Sequence, residues 1–181
     1  MIASRRFAKG FPVALAALLL SCSAARAQDA PPPEEAPAGP CEATEHAQFD
    51  FWVGAWDVST AKTREAGREP SRNTITKIHG GCALREEYVT TGGYAGSSLN
   101  YYDRFDGKWH QTWIDVGGNA LRLVGGMEDD SMVMRFTAAD GTRNRIAWTP
   151  NDDGSVRQHW QRRKGDEDDW TDVFDGRYNR R

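Results

Sequence analysis

Either side of the Asp103–Lys108 turn, an antiparallel hairpin would set Tyr102 opposite Trp109, Asn100 opposite Gln111 and Ser98 opposite Trp113. Directly opposed residues share a face of the sheet. Tyr102, Trp109, Trp113, Asn100 and Gln111 would then form aromatic walls carrying a few amides, the character of a small-molecule cavity. A packed interior whose amides pair with one another fits the same pattern. Glu86, on a face with Leu84 and Tyr88, would add a carboxylate, and Asn144 and Gln158 two further amides. A carboxylate taken out of water needs a partner. Glu86 is therefore expected either to anchor a ligand or to form half of an internal pair.

Catalytic patterns are missing. The histidines at 46, 79, 110 and 159 are scattered, and His110 and His159 fall on outward positions. A haem ligand would have to be an inward histidine, and His159 is the nearest candidate. The chain has no Gly-x-Ser-x-Gly elbow, phosphate loop or His-Glu-x-x-His. Adjacent carboxylates such as Glu86-Glu87 point to opposite faces of a strand, so they cannot act together on one substrate. The run Asp166-Glu167-Asp168-Asp169 lacks the spaced ligands of a calcium loop and reads as a solvated hairpin tip. No catalytic residue, metal or cofactor is expected.

The elements that would position the aromatic–amide set are short strands. Turn dipeptides fall at Gly80-Gly81, Gly92-Gly93, Asp106-Gly107, Gly117-Gly118-Asn119, Asp129-Asp130, Asp140-Gly141, Asp152-Asp153-Gly154, Gly165-Asp166 and Asp175-Gly176. Between them, polarity alternates. Met132, Met134 and Phe136 oppose Arg135; Leu121 and Leu123 oppose Arg122; Val156, Gln158 and Trp160 oppose Arg157, His159 and Gln161. No helical window shows a clean 3.6-residue period. The first strand is expected in Phe49–Val58. The spacing predicts an all-β domain: a single antiparallel up-and-down barrel of about 8–10 strands with little helix, closed because open edges are a liability. A two-sheet sandwich is the alternative.

The front of the chain reads differently. Residues 1–27 resemble a secretory signal peptide: Arg5, Arg6 and Lys9, an apolar run from Phe11 to Leu20, then Ala25-Arg26-Ala27. Leu19-Leu20-Ser21-Cys22 offers a competing lipoprotein box, with Cys22 as the lipidated residue. Residues 28–40 are a Pro-rich linker and residues 41–181 the folded domain. Removing the leader's four basic residues from 23 leaves 19 against 26 acidic ones, net about −7. Nucleic-acid binding is excluded by the lack of a basic stripe. In an oxidising compartment Cys41 and Cys82 are expected to form a disulfide.

Phe49-Asp50-Phe51-Trp52-Val53-Gly54-Ala55-Trp56-Asp57-Val58 resembles the signature of an uncharacterised bacterial family of exported lipocalin-like, calycin-type barrels. Gly81–Glu87, Ser98–Asp103, Trp109–Trp113 and Arg145–Pro150 extend the resemblance over most of the domain. It implies that Trp52, Gly54 and Trp56 are structural, with Trp56 sealing the narrow end and Arg177 or Arg180 over its ring. It brings no catalytic residues. Nothing after Arg181 would supply the usual packing helix, and Thr60–Ser71 is short and polar for a helical lid, so a short, lidless barrel is expected. The functional expectation is a periplasmic protein that binds a small apolar or amphipathic ligand, its only membrane contact being the lipid anchor at Cys22 if one forms. The alternative is an envelope structural or interaction module with a filled core, and an enzyme is the third reading. A void of roughly 300 Å³ or more lined by Tyr102, Trp109 and Trp113 would favour binding.

Overall fold

The computed structural model describes residues 41–166 and 169–181. The expected signal peptide, the linker and Cys22 lie outside the described residues, as do Glu167 and Asp168 of the acidic run.

Among the described residues ten strands form: β1 (Gly54–Thr60), β2 (Ser71–Ile78), β3 (Ala83–Val89), β4 (Ala95–Asp103), β5 (Lys108–Asp115), β6 (Ala120–Glu128), β7 (Ser131–Thr137), β8 (Arg143–Pro150), β9 (Val156–Arg163) and β10 (Thr171–Arg180). Each pairs antiparallel with its chain neighbour, and β1 closes against β10. The result is an up-and-down barrel, not a sandwich. Period-two alternation chose the faces. Leu84, Leu123, Met132, Met134, Ile146 and Val156 fill the interior, while Arg122 and Arg135 stay outside.

Eight of the nine expected corners fall between strands. Asp175-Gly176 does not; it lies inside β10. There the glycine serves side-chain space rather than a turn, because a Cβ at Gly176 would collide with the Phe174 ring. A bulge between Asp172 and Phe174 shifts the register of β10 on β9 just before it. Bulges of this kind re-aim a side chain.

The first strand starts later than the aromatic run suggests. Phe49 to Trp52 are not extended; two 3₁₀ turns, Thr44–Ala47 and Asp50–Trp52, precede β1. These turns carry Phe49 and Trp52 into one end of the barrel. Phe49 and Trp52 stack with centroids 4.8 Å apart, and Phe49 meets Trp109 and Trp148 edge-on at 5.7 and 5.4 Å. All four rings are buried. Trp56 reaches the same end from β1 and donates its indole N–H to the Trp52 carbonyl at 2.9 Å. Arg180 is the cation over Trp56, 4.3 Å from the ring, and it also donates to the Val53 carbonyl at 3.0 Å. Arg177 pairs instead with Asp153. Gly54 lets Arg180 approach: its φ is 144°, and a Cβ there would stand 2.6 Å from the guanidinium. A Cys41–Cys82 disulfide and a Lys77–Asp50 ion pair of 2.6 Å hold the entering chain to the barrel.

Between β1 and β2, one short helix, α1 (Ala61–Glu65), begins on a Thr60/Thr63 capping box. Its residues are all at least partly exposed.

Candidate functional site

Opposite the aromatic plug, the barrel encloses a cavity of about 270 Å³. Tyr88, Trp113, Leu121, Trp160 and Phe174 form its walls, and Glu86, Gln111, Gln158 and Tyr178 supply its polar groups. Tyr94 and Val173, 42% and 41% exposed, mark the mouth. The volume sits at the lower edge of the roughly 300–1,000 Å³ typical of ligand pockets, which suits a small molecule.

The antiparallel register builds the polar base. Glu86 opposes Ile75 on β2 and Ser98 on β4, and Asn100 opposes Gln111 on β5. Inward positions on successive strands thus touch. Tyr178 donates its hydroxyl to Gln158 Oε1 and accepts from Asn73 Nδ2 at 3.4 Å. Asn73 Nδ2 also donates to Glu86 Oε1 at 2.8 Å, and Ser98 donates to Glu86 Oε2 at 2.6 Å. The Ser98 hydroxyl accepts from Asn100 Nδ2 at 2.8 Å, and Gln111 Nε2 donates to Asn100 Oδ1 at 2.7 Å. One hydrogen-bonded chain therefore runs across β9, β10, β2, β3, β4 and β5.

Glu86 is its only carboxyl, 4% exposed, and both of its donors are neutral. Burial pushes its pKa from an ordinary 4.5 up to about 7, against the lowering effect of the Ser98 and Asn73 hydrogen bonds. Burial, with the nearby Glu86 charge second, raises the Tyr178 phenol well above its usual range. At neutral pH the base of the cavity thus holds one carboxyl poised between its acid and its anion.

The mouth is organised by Asp115. Its carboxylate accepts from Tyr94 Oη at 2.8 Å, Trp113 Nε1 at 3.2 Å, Asn119 Nδ2 at 3.0 Å and Gly117 N at 2.8 Å. These bonds, those from Asn119 first, hold the Asp115 carboxyl well below the usual carboxylate range. They also fix two aromatic walls. Tyr88 meets Tyr94 and Trp113 edge-on, each with centroids 6.4 Å apart. Gly96 on β4 leaves the room Trp113 occupies, since a Cβ there would overlap the indole.

The residues expected from the sequence divide. Glu86, Gln111, Trp113 and Gln158 line the cavity. Asn100 lies fully buried in the row behind it. Asn144 accepts from Trp160 Nε1 at 2.9 Å and donates to the Thr142 carbonyl, so it positions a wall. Tyr102 and Trp109 lie at the plugged end. Trp109 donates to Gln48 Oε1 at 3.1 Å, and Tyr102 meets the His46 ring at 5.4 Å. The void is accordingly slightly smaller than the 300 Å³ benchmark and takes only Trp113 of the three aromatics named for it. Trp160 was legible as the partner of Gln158 on one face. Tyr94, in the turn after Gly92-Gly93, carries no such signal, and Phe174 was hidden because Asp175-Gly176 reads as a corner, although Phe174, Gly176 and Tyr178 share one face of β10 opposite Trp160, Gln158 and Val156.

Elsewhere, His159 points outward to Asp172 at 2.8 Å. Asp103, Asp106 and His110 cluster on the β4–β5 turn with ligand atoms within 4.8 Å of one another. Their atoms already close that turn: Asp103 accepts from Phe105 N, and Asp106 from Lys108 N and the His110 ring. No protein-family model matches the chain, and no curated protein is significantly similar to it.

Proposed function

We propose that this chain is an exported barrel, of the lipocalin-like kind its opening signature resembles, that holds a small, partly apolar molecule in the cavity at its Tyr94 end. The observation that carries the reading is the division of the interior. One half is packed solid by Phe49, Trp52, Trp109 and Trp148. The other keeps about 270 Å³ open between aromatic walls and a single hydrogen-bonded base. A filled-core interaction module would place side chains in that space. Large apolar walls with sparse, oriented polar groups are what small-ligand sites use to gain affinity and fix orientation.

Native mass spectrometry of protein purified under gentle conditions from the periplasm tests the proposal. A co-purified small molecule that is lost when Trp113 is replaced by alanine supports it. Repeatedly ligand-free spectra, together with no binding across a broad panel of small aromatic and aliphatic compounds, would overturn it.

A further inference from the structure

Resting on the carrier reading above, we propose that the ligand is a small organic cation: a primary or secondary ammonium on an apolar body, its N–H donating to Glu86 and its charge set among the rings of Tyr88, Trp113 and Trp160. Two independent features point to this class.

The first is the counter-ion. Among the described residues, every titratable or charged group that faces Glu86 is a tyrosine: Tyr88 on its own strand and Tyr178 on β10. From β2 and β4 it meets Asn73 and Ser98, and Gln111 and Gln158 are the cavity's other polar neighbours. Among the described residues lining the cavity there is no lysine, arginine or histidine. Arg162 shares the inward phase of Gln158 and Trp160 on β9, but it is exposed at the rim and does not line the cavity. A carboxylate shut away with neutral donors is unbalanced, and a bound cation restores the balance. An anionic ligand would add a second unpaired charge.

The second is the wall. Tyr88, Tyr94, Trp113, Trp160 and Phe174 crowd the same small volume. Aromatic rings attract a desolvated cation through their quadrupole, and cages of them are the usual receptor for alkylated ammonium groups. An apolar wall alone fits any oily molecule. A cage over an uncompensated carboxylate selects the positive one.

Benzylamine, benzyl alcohol and benzoate are probes of one shape and three charges, small enough for this cavity. Titration calorimetry on the mature protein at about pH 8 should find benzylamine bound at least tenfold more tightly than benzyl alcohol, with benzoate weakest, on the order of the cation–π and ion-pair differences seen in desolvated sites. Glu86→Gln should erase that preference, bringing benzylamine down to the affinity of benzyl alcohol. Independently of any variant, lowering the pH from about 8 to 5 should weaken benzylamine by about tenfold or more, because Glu86 takes up its proton near pH 7 and the preference over the alcohol goes with its charge. Benzyl alcohol should not follow. If benzyl alcohol or benzoate matches or exceeds benzylamine in the wild type, the cation assignment is wrong while the carrier reading stands. If no probe binds at millimolar concentration, the cation assignment fails, while the carrier reading falls only if the spectra and the broad panel above are also negative. A benzylamine affinity flat from pH 5 to 8 would remove Glu86 as the counter-ion even if the variant failed to fold.

Discussion

Glu86→Gln keeps the shape of the side chain at the base of the cavity and removes its proton. The wild-type carboxyl is held at about 7, against an ordinary 4.5, by burial. Below pH 4.5 it is protonated in both folded and unfolded chains and contributes nothing to the pH dependence. Between 4.5 and 7 the folded chain binds more protons than the unfolded one, so stability falls as pH rises. Above 7 the loss is complete. At about 1.4 kcal/mol for each tenfold change in proton affinity, it amounts to roughly 3 kcal/mol. Glutamine escapes it, and the site can accommodate the new amide. Asn73 Oδ1 is buried without a donor, and turning the Asn73 amide over would present that oxygen to the glutamine N–H₂. Urea unfolding followed by tryptophan fluorescence should therefore show the variant gaining on the wild type by roughly 2–3 kcal/mol between pH 5 and pH 8, groups shared by both proteins cancelling in the difference. Parallel stability curves across that range would refute the reasoning, because they would mean that burial does not control the Glu86 proton.

Other perturbations follow from the packing. Reducing the Cys41–Cys82 bridge, which spans 41 residues, should lower stability by up to about 4 kcal/mol through loop-closure entropy, visible as a lower Tm with reductant. Two free thiols in native, oxidised protein would remove the bridge altogether. Gly96→Ala should cost about 1–3 kcal/mol and shift tryptophan emission, since the methyl group must displace the Trp113 ring and collapse one cavity wall. Trp52→Ala should cost about 3–5 kcal/mol by emptying the plug, measured by chemical denaturation, without altering probe binding at the other end. Arg180→Ala should cost on the order of 1 kcal/mol, because the guanidinium is exposed although it covers Trp56 and bonds Val53.

The barrel can be read from the order of the residues. Alternation at period two, interrupted by glycine–aspartate corners every eight to twelve residues, allows few folds other than neighbouring hairpins, and closure follows from the edges such a sheet would leave. Pairing across Asp103–Lys108 was equally legible, because Tyr102, Asn100 and Ser98 meet Trp109, Gln111 and Trp113 in the register that one turn dictates. Arg180 over Trp56 was one of the two arginines that the family resemblance offered. What alternation cannot say is how far along the barrel axis an inward residue lies. It took the folded barrel to set Trp113 against a void while Trp109, on the same face four residues earlier, is stoppered by Phe49 from the 3₁₀ turns. Folding likewise brings Glu86 to Asn73 and Ser98 rather than to a cationic side chain, since those partners depend on the register of three strands at once. The Asp115 network that fixes Tyr94 depends on packing between strand ends. Such contacts leave no period to read.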